Sequence, residues 1–242
     1  MEDLPLIRHP YENHNDNKRA YVRDAMLGIN DGLISTVLLS LGTFASGLSK
    51  INLLYTLISG SLAGVISMGC GEYLATKSQQ QMIESEIRLE KHHIKYNLPT
   101  ELKQVEDFLR MDLEITDPTL IQNFIKEMSK NREGLLNFMK KIEFGITDDD
   151  YRNPYVAMSI SGLFFFIGSF PSLLSFCFPY PINYCMILSL FLNCVSLFCI
   201  GVIKALLTKN NACLSGLENI GFAGIGGIIS YIVGYSAQLL YR

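Results

Sequence analysis

The sequence predicts an all-α, polytopic membrane protein with five transmembrane helices and a cytosolic helical insertion between the second and the third. Three observations carry that prediction. Apolar residues make up 49% of the 242-residue chain and charged residues only 18%. The charges are clustered, so five segments reach the roughly 20 mostly apolar helical residues that a bilayer core requires. One stretch, 77–152, has the opposite character and holds fifteen Asp or Glu and twelve Lys or Arg.

Residues 1–20 are polar and are expected to form a flexible cytosolic tail. No apolar core follows an early positive charge, so no cleavable signal peptide is expected and the first span serves as its own signal. Residues 21–76 hold the first two spans, about Asp24–Gly47 and Asn52–Thr76. Residues 153–242 hold the other three, about Pro154–Phe178, Ile182–Leu207 and Gly216–Tyr241. Within 77–152 apolar residues recur at helical spacing, as in Val105, Phe108, Leu109 and Leu113, then Phe124, Ile125 and Met128, then Leu135, Phe138 and Met139. This pattern predicts two or three amphipathic helices, with Pro99 and Pro118 supplying the breaks.

Orientation follows from the basic residues, which accumulate on the cytosolic side of membrane proteins. A cytosolic N-terminus places eighteen of the twenty Lys and Arg inside and leaves only Lys50 and Arg242 outside. The N-terminus and 77–152 are therefore expected in the cytosol and the C-terminus on the lumenal side. With a net charge of −3 and no dominant basic patch, nucleic acid is excluded as a partner. The six cysteines contain no C-x-x-C pair and lie mostly in apolar runs. They read as small buried side chains, not as disulfides or thiolate ligands.

An ionisable residue inside a span is costly and marks a functional candidate. The first span contains Asp24 and Asp31, seven residues apart and so on one helix face. Asp24 near the interface has Arg23 as a neighbour; Asp31, in Asn30-Asp31-Gly32, lies deeper. The second span offers Met68 and Glu72, one turn apart. A thioether beside a carboxylate suits a first-row transition metal better than Mg²⁺ or Ca²⁺, which prefer oxygen alone. Two readings of Glu72 stand together: ligand, or interfacial partner of Lys77. The pairs Gly28/Gly32 and Gly60/Gly64 allow close helix approach, within a bundle or between two copies.

In the insertion, Glu86, Glu90 and His93 follow one another along a helix face, Glu101 opens the next helical stretch, and Met139 and Glu143 sit one turn apart on a third. Three helices can converge these groups on a cation; equally, charged faces of cytosolic helices are commonly just solvated. Glu90-Lys91-His92-His93 holds a single Glu-x-x-His, whereas di-iron carboxylate enzymes use two. The remaining histidines, His9 and His14, lie in the tail, so an enzymatic centre is not expected.

The segment Arg23-Asp24-Ala25-Met26-Leu27-Gly28-Ile29-Asn30-Asp31-Gly32-Leu33 resembles the first span of the vacuolar iron transporter family. Met68-Gly69-Cys70-Gly71-Glu72-Tyr73-Leu74 resembles the end of its second span, and the insertion and the glycine-rich last span from Ser215-Gly216-Leu217 fit as well. The resemblance covers nearly the whole chain from about residue 20. It implies a five-span protomer in a homodimer, an integral protein of a vacuole or similar acidic store, with membrane lipid around it and no tightly bound cofactor. It also implies export of cytosolic Fe²⁺ in exchange for protons, with Mn²⁺ or other divalent metals carried by some members. By matching motifs, Asp24, Asp31 and Met68 line the path, Glu90 and Glu101 match the family's metal-binding glutamates, and Met139 with Glu143 matches its Met–Glu pair. The chain departs from the pattern at Gly60, where some members have a carboxylate, and at His93 and Gln104, which replace two insertion glutamates. A channel or transporter chiefly for Mn²⁺ or Zn²⁺, and a membrane-anchored interaction protein, are the other classes the residues admit.

Overall fold

The structure is a computed structural model that describes residues 16–143, 145, 152–209 and 211–240. Eight α-helices and no strand occur among the described residues. In chain order they are α1 (Asp16–Ala45), α2 (Lys50–Tyr96), α3 (Leu98–Met111), α4 (Pro118–Lys130), α5 (Arg132–Ile142), α6 (Pro154–Cys177), α7 (Ile182–Thr208) and α8 (Ala212–Leu240). Five of them, α1, α2, α6, α7 and α8, are long and apolar enough to cross a membrane. The chain divides into two compact units, one built from these five helices up to Leu74 and from Asn153 onward, the other from 75–152.

Two boundaries differ from the sequence expectation. Helix α1 begins at Asp16, so the last residues expected in the tail are helical, while 1–15 lie outside the described residues. Helix α2 runs without a break for 47 residues, so the first helix of the insertion is the continuation of the second span. The reason is compositional. Between Gly71 and Asn97 there is neither Gly nor Pro, and Gln, Glu, Lys, Leu and Ile dominate, all tolerated in a helix interior. The two prolines mark beginnings: Pro99 falls in the first turn of α3 and Pro118 is the first residue of α4. That position suits proline, whose missing N–H would have had no partner there. Asp117 accepts from Thr119 N at 2.9 Å and Asn131 from Gly134 N at 2.8 Å, which caps α4 and α5.

In the first unit, α1 packs along α6 and is flanked by α7 and α8. Glycine makes the α1–α6 contact. A Cβ on Gly28 would stand 2.7 Å from the Ser161 carbonyl oxygen; one on Gly32 would collide with the Phe165 carbonyl, and one on Gly168 with the Ile29 carbonyl. The backbones therefore touch, as small residues permit in membranes. Gly64 of the second glycine pair receives the Phe165 ring, and Gly60 faces the Leu39 side chain. Farther along, Leu53 and Leu57 of α2 are buried with Phe176, Cys185 and Met186. Lys50 donates to the Phe178 carbonyl and, at 2.9 Å, to the Tyr180 carbonyl, satisfying acceptors after the end of α6.

A polar knot joins three spans. Thr36 of α1 donates to Ser172 of α6 at 3.2 Å, and Asn193 of α7 donates to the same hydroxyl at 2.9 Å. All three are buried. The cysteines correct the expectation of burial: Cys185 is buried, whereas Cys70, Cys177, Cys194, Cys199 and Cys213 are exposed, all as free thiols. An apolar span meets lipid on its outer face, so an apolar surrounding in sequence does not mean an interior position.

The second unit has its own core of Ile94, Val105, Leu109, Ile121, Leu135, Leu136 and Met139. Phe138 packs edge-on against Phe108 at 6.0 Å between centroids and against Phe124 at 5.4 Å, tying α3, α4 and α5 together.

Replacing Gly32 or Gly168 by Val is expected to destabilise the bundle by at least about 1–3 kcal/mol, since backbone oxygen cannot move aside as a side chain would. Gly221, with open space around its Cα, is the control, and Gly221→Ala should be neutral or slightly stabilising. Thermal unfolding in detergent measures both.

Candidate metal centre and membrane carboxylates

The insertion brings three of the sequence-picked groups together. Glu90 and His93 lie near the C-terminal end of α2, and Glu101 lies in the first turn of α3. The α2–α3 corner at Asn97 is what folds Glu101 back toward the other two. The His93 Nδ1 is 3.8 Å from Glu90 Oε2 and 3.7 Å from Glu101 Oε1. One ligand atom from each residue falls within 4.8 Å of the others. Glu90 and Glu101 are only 2% and 3% exposed, yet Glu90 Oε1 and Glu101 Oε2 have no hydrogen-bond partner. Buried carboxylate oxygens without donors are expensive. A divalent cation held between them would supply what they lack.

Electrostatics agree. Burial, and then the charges of Glu101 and Glu143, push the Glu90 carboxyl up from its ordinary 4.5 to about 7. Glu143 is likewise raised, by burial first and by Glu101 second, with His93 opposing. Three carboxylates thus feel one another, and a metal ion relieves their repulsion. Two oxygens and an imidazole nitrogen form a donor set for divalent Fe, Mn or Zn.

The other candidates divide. Glu143 is exposed at the end of α5 but belongs electrostatically with Glu90 and Glu101. Met139 is buried in the apolar core of the insertion. Glu86 is half-buried on α2, outside the three-residue cluster, and Gln104 is exposed.

In the membrane unit Asp24 is fully buried and its Oδ1 lies 3.3 Å from the Arg23 guanidinium. Asp31, two turns along the same helix, is exposed on the outside of the single chain. Their seven-residue spacing gives one face, but that face is covered at one level and open at the other. Met68 and Glu72 are both half-buried on α2. Several polar groups escaped a search for ionisable residues: Asn30 Oδ1, Ser61 Oγ, Ser161 Oγ and Asn193 Oδ1 are buried without a hydrogen-bond partner. For Asn193 the signal was present, an amide in the most apolar of the spans.

Changing Glu90 and Glu101 together to Gln is expected to weaken Mn²⁺ binding by the full-length protein about tenfold or more, as loss of two charged ligands should. Because the metal displaces a proton from Glu90, the apparent affinity should fall as pH is lowered through about 7. Without metal the sign reverses. The folded insertion holds the Glu90 proton more tightly than the unfolded chain, so this group's stabilising contribution is complete below 4.5 and is lost as pH rises to about 7. Titration calorimetry and unfolding in chelator measure the two effects.

The sequence matches the model of the VIT family over residues 22–235. It is 27% identical over 219 residues to "Vacuolar iron transporter 1" of Tulipa gesneriana, covering 90% of this chain and 87% of that one. To "Vacuolar iron transporter 1" of Arabidopsis thaliana it is 27% identical over 230 residues, 95% and 89% of the two chains. To "Vacuolar iron transporter" of Centaurea cyanus it is 28% identical over 229 residues, 95% and 91% of the two chains. These matches span both helical units and, with the five apolar helices, place the chain in the VIT family, that of the vacuolar iron transporters.

Proposed function

We propose that this protein is a proton-coupled transporter that carries Fe²⁺ from the cytosol into an acidic, vacuole-like compartment. The observation that carries the proposal is Asp31, a carboxylate on the open face of a membrane span in a member of this family. A carboxylate left against lipid is costly, so that face belongs to a water-filled path or to another protein surface. The membrane part of α2 presents Ser59, Ala63, Ser67 and Gly71 outward at four-residue spacing, a small-residue seam suited to a second copy of the chain. In such a homodimer Asp31 and Met68 of both protomers face the path, with Glu72 and Asp24 toward its cytosolic mouth.

On this reading the insertion collects the ion. Glu90, His93, Glu101 and Glu143 hold it, with the N-terminus and 77–152 in the cytosol as the distribution of basic residues favours. Transfer to Asp31 exchanges a cation for a proton, which a carboxylate in a low-dielectric path does readily. An acidic lumen reprotonates Asp31 and frees the metal. The relatives are named for iron, and the His93 nitrogen leaves Mn²⁺ and Zn²⁺ as competing cargo. The chain acts as a carrier and not as an enzyme.

Proteoliposomes holding the purified protein test this. Fe²⁺ uptake should require an inward-acidic pH gradient, and Asp31→Asn should reduce it at least about a hundredfold, as loss of an essential charged ligand does. Uptake by Asp31→Asn at the wild-type rate, or indifference to the gradient, overturns the proposal. Competition by Mn²⁺ and Zn²⁺ ranks the cargo.

A further inference from the structure

The insertion carries a second charged feature that metal capture does not use. A groove of about 480 Å³ runs between the last turns of α2 and the length of α5. Lys91 and Lys95 form one wall, Arg132 and Lys140 the other. Ile94 and Leu136, at 4% and 8% exposure, floor it. Glu133 and Asn137 complete the lining. Around α2, where successive residues turn by about 100°, Lys91 and Lys95 each lie about 160° from His93, on the far side of the helix from it.

These cations lack carboxylate partners among the described residues, although Lys95 Nζ lies 5.1 Å from the centre of the Tyr96 ring. Elsewhere on the insertion Arg110 is 2.9 Å from Glu106 and Lys130 is 2.7 Å from Glu127. Among the described residues no carboxylate lies within ion-pairing distance of Lys91, Lys95, Arg132 or Lys140. Four cations against the one carboxylate of Glu133 leave an excess of three positive charges in the groove. Lys140 is half-buried, so its charge is less well screened than that of a free surface lysine. Lys91 and Lys95 are one turn apart, about 6 Å along the axis, and Arg132 and Lys140 about 12 Å apart. The positive charge is thus spread along a line between two walls.

We propose that this groove binds a soluble chain of phosphates of the size of inorganic triphosphate. Its three or more negative charges match the excess. Its length matches the spread of cations, and arginine and lysine are the side chains that grip phosphate oxygens. Asn137 adds an amide donor for a further oxygen. A phosphorylated lipid headgroup has the same chemistry. A membrane surface, however, is met by basic side chains projecting from one exposed face, whereas here they oppose one another across a floor of apolar side chains. The soluble source is the one this shape favours. The site is independent of metal capture, although Ile94 and Leu136 belong to the same core as Met139.

The test is calorimetric titration of the full-length, detergent-purified protein with inorganic triphosphate in the presence of chelator. Binding is expected, weakening steeply with added salt. Lys95→Glu with Lys140→Glu should reduce affinity about tenfold or more, since each charge-assisted contact is lost and reversed. Lys95→Gln with Lys140→Gln, which adds no new charge, should give a smaller loss in the same direction. Lys103→Glu, outside the groove, should bind as wild type does. The Glu90→Gln, Glu101→Gln protein should keep triphosphate binding, which separates failure of metal capture from failure of this groove. Vesicles containing a phosphorylated inositol lipid form the second arm. Binding to them that free triphosphate does not displace, and that the groove variants abolish, overturns the soluble source. Absence of triphosphate binding, or binding that the groove variants leave unchanged, overturns the site.

Discussion

The contact of α1 with α6 at Gly28, Gly32 and Gly168 is the constraint on which the membrane unit depends. Lipid tails are as apolar as leucine, so spans gain little by hiding apolar surface from them. What binds spans is close backbone approach and polar side chains that satisfy one another. Both occur here on the same face of α1. The glycines bring α6 against it, and one turn beyond Gly32 the Thr36 hydroxyl begins the knot through Ser172 to Asn193 of α7. With that face of α1 committed to packing, Asp31 is left on the open side. The geometry of the bundle thereby decides which carboxylate is presented and which, like Asp24, is held inside.

The insertion rests on a different physics. It is a small helical unit with its own apolar core, and its buried carboxylates are placed at the expense of that core's stability. Two carboxylates are buried within reach of one imidazole, with oxygens left without donors. Such a cluster is held in place by Val105, Leu109, Leu135 and their neighbours, and on the proposed function a bound cation completes it. On the proposed function protons and divalent cations compete for Glu90, whose carboxyl is pushed up to about 7 by burial and by the neighbouring Glu101 and Glu143.

Much of this was legible in the sequence, for identifiable reasons. The five spans announce themselves because a bilayer imposes a length that composition reveals. Glu90, His93 and Glu101 were visible as metal-ligating types at helical spacing, but their convergence depends on the corner at Asn97, which spacing does not give. The continuity of α2 was missed because a change from apolar to charged residues looks like a boundary, although the helix responds only to the absence of Gly and Pro. The cysteines were misplaced by carrying the logic of a soluble core into a membrane. Asp24 and Asp31 share a face in the sequence and differ in exposure in the structure, because burial is decided by neighbouring helices at each level. Asn193 was overlooked because an uncharged amide does not stand out by charge, and yet it ties two other helices to α7.

The exposure of Asp31 also bears on how the protein is made. A newly inserted chain carries this carboxylate on its outside until something covers it, and an unassembled protomer is therefore the less stable membrane solute. On the proposed dimer, one residue serves both cargo and assembly: its charge penalises the solitary chain and is relieved by pairing. Cellular quality control that removes poorly inserted spans would act on the orphan and spare the pair. Removing the charge should therefore let single chains persist longer in the bilayer while ending their usefulness, so that abundance and transport move in opposite directions.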